Sequence, residues 1–203
     1  MLMLLIFLCN LYIIVTGDDK MLSIRKYEEK DMENVRYTCL HSENEEPEKT
    51  FGEFVLITFC DYYLQHEPEN CFVLDDDGRA VGYIICAENY DRYKDIFDKE
   101  YLPRTKAQGD EYYNWAATST ILQNKYKADY PAHLHIDLLP EYQRKGWGGK
   151  LLSALFEHLR AKNIKGVMLT AGTGNVNAGS FYKKYGFEQI EIYDTDVAFG
   201  MKL

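Results

Sequence analysis

The chain lacks most of what would mark a metalloprotein, a nucleic-acid binder or a modular array. Its five cysteines, Cys9, Cys39, Cys60, Cys71 and Cys86, include no Cys-x-x-Cys pair, and no histidine stands at metal-ligand spacing from them. No metal site is expected. The cysteines are odd in number and lie in hydrophobic patterns, so they read as small buried hydrophobes in a reducing compartment. Basic residues are outnumbered 23 to 32, for a formal charge of −9. That argues against nucleic acid as a partner, because neutralising phosphates needs a basic face, and suits a cationic partner better. No linker or repeat divides the 203 residues, and a hydrophobic content of 46% can support one well-buried domain.

Two nucleotide fingerprints are missing as well. No Gly-x-Gly-x-x-Gly follows a strand with an acidic residue about twenty positions on, and no Gly-Lys-Ser/Thr closes a phosphate loop. What stands instead is Gln143-Arg144-Lys145-Gly146-Trp147-Gly148-Gly149-Lys150, opening onto Leu151, Leu152, Leu155, Phe156 and Leu159 at helical spacing. Residues 132–139 before it read as a strand. A glycine-rich turn that starts a helix is a phosphate site in waiting: glycine lets backbone N–H groups approach an anion, and the helix N-terminus adds unpaired donors and partial positive charge. Arg144, Lys145 and Lys150 cluster there on an otherwise acidic chain.

Gln143-x-x-Gly146-x-Gly148 resembles the pyrophosphate-binding motif, Gln/Arg-x-x-Gly-x-Gly/Ala, of the GNAT superfamily of N-acetyltransferases. A second block strengthens the resemblance: Asn175-Val176-Asn177-Ala178-Gly179-Ser180-Phe181-Tyr182-Lys183-Lys184-Tyr185-Gly186-Phe187 matches the later signature Asn-x-x-Ala-x-x-x-Tyr-x-x-x-Gly-Phe at every named position. The resemblance covers about residues 21–203 and is specific from 133 to 187. It implies the GNAT fold, an α/β arrangement with a mixed, mostly antiparallel sheet, helices on both faces, and a splayed strand pair that admits acetyl-CoA as cosubstrate. It also implies cofactor contacts from Leu138, Leu139, Gln143, Arg144, Lys145, Gly146, Trp147, Gly148, Gly149, Asn175 and Ser180. Asn175 and Ser180 could equally cap a helix start. The segment 133–148 is further similar to the acetyltransferase-like domain of some O-GlcNAc hydrolases, of which this chain would be a stand-alone relative.

Direct acetyl transfer to an amine needs a base, because an alkylamine of pKa ~10.4 is mostly protonated at neutral pH, and it benefits from an acid at the departing thiolate. His133, His135 and Asp137 recur every second residue and so share one face of a strand, while Leu134, Ile136 and Leu138 take the other. Asp137 is the first candidate base, acting directly or through water, and His135 the second. The alternative is that all three only stabilise the strand end, and a β-bulge would break the parity argument. By the resemblance, the Leu138 N–H would be an oxyanion donor and Tyr182 the acid that protonates the thiolate. A binding module of the same fold, holding acyl-CoA or a partner without turnover, is the rival reading.

The remaining pattern predicts strands at 22–27, 71–74, 79–87, 166–171, 188–193 and 197–203, and helices at 28–41, 49–65, 146–162 and 175–185. Asp75-Asp76-Asp77-Gly78 predicts a tight hairpin turn. Residues 88–131 form a long Tyr-rich insertion with a helix at 110–126, and a connection of that size is expected to shape the acceptor site. Residues 1–20 form a separate apolar leader. Their apolar run of 16 is shorter than the ~18–20 residues that span a bilayer, so they read as a mis-assigned start before Met21, a signal lacking its positive charges, or an anchor. A cytoplasmic location follows from the need for acetyl-CoA, with membrane attachment only if the leader is a real anchor. The expected partners are an amine acceptor, carried by a small molecule or a protein, and a second copy of the chain in a homodimer.

Overall fold

The computed structural model describes residues 12–13, 22–43 and 47–203. Apart from Tyr12 and Ile13, the leader lies outside the described residues. Eight strands form one sheet in the order β1-β2-β3-β4-β5-β6-β8-β7. They are β1 Tyr12–Ile13, β2 Leu22–Lys26, β3 Phe72–Asp76, β4 Arg79–Ala87, β5 Ala132–Leu138, β6 Gly166–Gly172, β7 Glu188–Tyr193 and β8 Asp196–Lys202. Every neighbouring pair is antiparallel except β5 and β6. The predicted hairpin turn is made by Asp77 and Gly78, both at positive φ, which suits the twist of β3 and β4.

The sheet carries a core on each face. One face packs the aliphatic side of helix α8, Trp147–Ala161, through Leu151, Leu152, Leu155 and Leu159 against Leu74, Ile84, Leu134 and Val167. The other is covered by α1 Met32–His41, α2 Lys49–Phe59, α3 Asp61–His66 and the insertion, and its buried residues include Tyr27, Tyr62, Tyr63, Tyr83, Tyr90, Tyr93 and Tyr101. Several of those phenols are satisfied internally: Tyr62 donates to Glu67, Tyr83 to Asp137 and Tyr101 to Gln65.

Three expected helices differ from the observed ones. The single helix at 49–65 breaks at Cys60, whose φ of −130° ends α2 and starts α3. The break carries the buried Asp61 to Arg36 and Arg104, which pair with it at 3.2 Å and 3.6 Å. On α2 the buried residues are Gly52, Phe54, Leu56, Ile57 and Thr58. The helix at 110–126 is two, α6 Asp110–Thr118 and α7 Ile121–Tyr126, because the hydroxyls of Thr118 and Ser119 turn back onto the carbonyls of Asn114, Trp115 and Ala116 and compete with the helical ladder. Upstream in the insertion lie α4 Tyr90–Ile96, a widened turn at Phe97–Tyr101, and α5 Leu102–Thr105, which carries Pro103 in its first turn. The predicted helix at 28–41 begins as a short 3₁₀ turn, Glu29–Asp31, before α1.

Cys60, Cys71 and Cys86 are buried free thiols and Cys39 is half-buried, while Cys9 lies outside the described residues. Among the described residues no helix is long and apolar enough to cross a membrane.

Candidate active site

The site begins where the sheet opens. β5 and β6 each run for seven residues but pair only through Ala132 with Val167 and His133 with Met168. Beyond that point β5 is held by β4 alone and β6 by β8, leaving a wedge between the two strands.

The polarity of β5 inside the wedge follows from one bond. Leu139 donates its N–H to the Val81 carbonyl at 3.0 Å, on the β4 side. Backbone groups alternate sides along a strand, so the N–H groups of Ile136 and Leu138, past the last pair with β6, face away from β4 toward the opening. No bulge interrupts the register from Gly82↔Leu138 to Ala87↔His133, and His133, His135 and Asp137 share the face of Tyr83, Ile85 and Ala87. The parity argument therefore holds.

The three polar residues differ in environment. His133 is 2% exposed, neither ring nitrogen has a hydrogen-bond partner among the described residues, and the ring sits among Tyr63, Tyr90 and Tyr93; burial and then the neighbouring His135 push its pKa down to about 3. It is a neutral core residue. His135 is half-buried against Phe59 and Tyr63, and burial lowers it to about 4. Asp137 is half-buried at the wedge and accepts a hydrogen bond from the Tyr83 phenol at 2.6 Å. Burial raises its carboxyl to about 6, against the lowering effect of bonds from Tyr83 and Ser42, and the Glu43 charge adds to the rise. Tyr83 and Ser42 were not legible as site residues, because neither belongs to a motif and both reach Asp137 through tertiary pairing.

The cradle above the wedge is built from backbone. Arg144 at φ +57° and Gly146 at φ +87° turn the chain so that α8 starts at Trp147. Among the described residues, the N–H groups from Arg144 to Gly149 donate to no backbone or side-chain acceptor; the first bond of the helix is from Lys150 to the Gly146 carbonyl. Arg144, Lys145 and Gly146 are exposed, whereas Trp147 is buried with the Lys150 ammonium 3.7 Å from its ring centre. Gly148 and Gly149 serve packing as well. A Cβ at Gly148 would lie 3.0 Å from the Phe181 ring, and one at Gly149 would overlap the Tyr185 phenol.

Other expected contacts lie differently. The Leu139 side chain is buried, its N–H is bonded to Val81 and its carbonyl to Tyr142, so it offers the wedge no donor. Gln143 has no free donor either, its backbone N–H going to Pro140 and its carboxamide to Ser42 and Leu138. Asn175 caps α9, Val176–Lys184, by accepting from the Ala178 N–H at 3.0 Å, and Ser180 is exposed on the same helix. Tyr182 is half-buried against Phe181, Phe187 and Phe199, and burial, with the Asp137 charge second, raises its pKa.

Several solved structures are similar to the chain in this architecture. SsHAT superposes with a TM-score of 0.80 at 26% identity, over 89% of this chain and 98% of that one. The PaiA N-acetyltransferase from Thermoplasma acidophilum, determined with coenzyme A, gives a TM-score of 0.59 at 18% identity, over 90% and 99%. An agmatine N-acetyltransferase gives 0.63 at 16%, over 92% and 100%. These last two likenesses concern the fold. The profile of the Acetyltransferase (GNAT) family matches residues 34–187, a span that contains the wedge, the amide cradle and the tyrosine helix, and the chain belongs to that family.

Proposed function

We propose that the protein transfers the acetyl group of acetyl-CoA directly to an amine. The observation that carries this reading is the coincidence of three features at one place: strands β5 and β6 part, unbonded N–H groups gather from Arg144 to Gly149, and Asp137 meets the opening. The N–H groups suit a pyrophosphate at a helix start, with Arg144 and Lys145 adding charge at the exposed rim. The Leu138 N–H faces the wedge, where it can donate to the thioester carbonyl oxygen as negative charge develops on it.

In this reading the amine nitrogen attacks the thioester carbon, the amine proton passes to Asp137, and the carbon–sulfur bond breaks. The sulfur takes a proton from the Tyr182 hydroxyl. Asp137 is preferred to His135 on magnitude: a group at about 6 can hold a proton near neutral pH, whereas one at about 4 holds it a hundredfold less well. Burial keeps Tyr182 protonated and so able to donate. A cationic acceptor suits the formal charge of −9 and the Glu43 charge that adds to the rise at Asp137. The segment 133–148 supports a relative of the acetyltransferase-like domain of O-GlcNAc hydrolases, with the phosphate-loop glycines retained.

The test is an assay of the purified protein with acetyl-CoA against a broad panel of amines. Acetylated product with release of free thiol is the expected outcome. Tight CoA binding with neither transfer nor hydrolysis across the panel would overturn this reading in favour of a binding module.

A further inference from the structure

Gln143 opens the phosphate motif, yet every donor it owns is spent elsewhere. Its backbone N–H goes to the Pro140 carbonyl at 3.2 Å, and its carboxamide nitrogen donates to the carbonyls of Ser42 at 2.7 Å and Leu138 at 2.8 Å. Two carbonyl partners fix which end of the carboxamide is nitrogen, so only Oε1 is left, an acceptor that repels a phosphate oxygen.

The two carbonyls belong to opposite sides of the site. Ser42 is 101 residues upstream, at the C-cap of α1, where the connection to α2 begins and helical carbonyls lack intrahelical partners. Its side chain lies near enough to the Asp137 carboxyl to lower its pKa. Leu138 follows Asp137 on β5, at the open end of the wedge. One carboxamide thus joins the phosphate loop, the wedge strand and the C-cap of α1.

We propose that Gln143 is a positioning residue that clamps the C-cap of α1, at Ser42, onto the end of β5 beside Asp137, rather than touching the cofactor. Its kinetic consequence rests on the acetyl-transfer reading; its structural consequence does not. With the clamp intact the acceptor side is ordered before an acceptor arrives, so loss of the clamp weakens acceptor use and leaves the amide cradle alone.

The experiment compares the wild-type protein with Gln143→Leu, which deletes the donors at similar size, and Gln143→Glu, which keeps the shape and places an acceptor against both carbonyls. Hydrogen exchange at the Ser42 and Glu43 amides, read on the protein alone, should quicken about tenfold or more in both variants, the scale of losing two neutral hydrogen bonds. Calorimetry should give CoA affinity within about twofold of wild type. With an acceptor from the amine panel, KM for that acceptor should rise about tenfold while KM for acetyl-CoA stays constant. Unchanged exchange at Ser42 and Glu43 in folded variants would overturn the proposal, as would a tenfold loss of CoA affinity, the mark of a direct phosphate ligand. A wild-type protein that transfers nothing would sink the acetyl-transfer reading while the exchange and calorimetric results still decide the clamp.

Discussion

Replacing Asp137 with asparagine should stabilise the protein while disabling it. The carboxyl titrates at about 6 in the fold against 3.8 for an unperturbed aspartate. At ~1.4 kcal/mol per tenfold change in proton affinity, holding the charge costs about 3 kcal/mol, an upper figure because the side chain keeps some contact with water. The sign follows from linkage. A raised carboxylate pKa means the folded state binds more protons, so the cost is absent below pH 3.8, where both states are protonated, grows as the pH climbs, and is complete above about 6. Asparagine keeps the size and one oxygen for the Tyr83 phenol and Ser42, and carries no charge to bury. Urea denaturation from pH 4 to 9 should therefore show no advantage for the variant at the acid end and a gain of up to about 3 kcal/mol at the alkaline end. In the same protein turnover should fall about a hundredfold, with partial recovery as the pH nears the amine pKa of ~10.4, where no base is needed. A variant less stable than wild type at pH 8, or equally impaired at every pH, would refute the reasoning and make Asp137 a structural carboxylate.

Three further substitutions probe its neighbours. Tyr83→Phe removes a hydrogen bond that lowers the Asp137 pKa, so the acid limb of kcat/KM should move above about 6 with CoA affinity constant; a limb that does not move counts against the pairing. Tyr182→Phe keeps the ring against Phe181, Phe187 and Phe199 and deletes only the hydroxyl, so kcat should drop about a hundredfold with unchanged calorimetric CoA binding, and wild-type turnover would contradict the acid role. Gly149→Ala drives a methyl into the Tyr185 phenol and should cost about 1–3 kcal/mol in denaturation, most of it recovered when Tyr185→Ala is added; an additive double variant would show that the two do not share the contact.

How much of this was legible depended on whether a signal was local or set by tertiary pairing. Period-2 alternation placed His133, His135 and Asp137 on one face, and the unbroken register of β4 against β5 kept it so. The Asp77-Gly78 turn, the start of α8 at the glycine run and Asn175 as a cap are local chemistry, and each is found in the fold. Tyr83 as the partner of Asp137 was not legible, because β4 and β5 are separated by the insertion and only their register brings positions 83 and 137 together. The Gln143 bond to Ser42 is hidden for the same reason. The breaks at Cys60 and Ser119 carry no proline or glycine; a buried ion pair at Asp61 accompanies one, and hydroxyls bonding back to the ladder accompany the other. The Gly148 position shows a different shortfall. A bulky residue there would strike Phe181 as well as crowd an anion, so substitution at 148 cannot by itself report on phosphate binding.

The two faces of the sheet divide the proposed chemistry. The α8 face is a hydrophobic core that fixes the helix whose first amides form the cradle, and Tyr182, the proposed acid, packs against it. The opposite face places seven buried tyrosines and three titratable side chains of β5 in one layer, and His133 buries two ring nitrogens without partners among the described residues, at ~1–3 kcal/mol for each unmet group. An apolar residue at 133 would pack without that cost, so burial energetics gives no reason for a histidine there. Aspartate at 137 is different, because Tyr83 and Ser42 converge on it and it stands where the two strands part. Local stability is surrendered along β5 in the order buried, half-buried, wedge-facing, and only the last member has donors arranged to hold it charged. A chain selected for stability alone would have spread such groups or replaced them. Of the three, Asp137 is the one placed where the strands part, which is what the proposed acetyl transfer asks of a base.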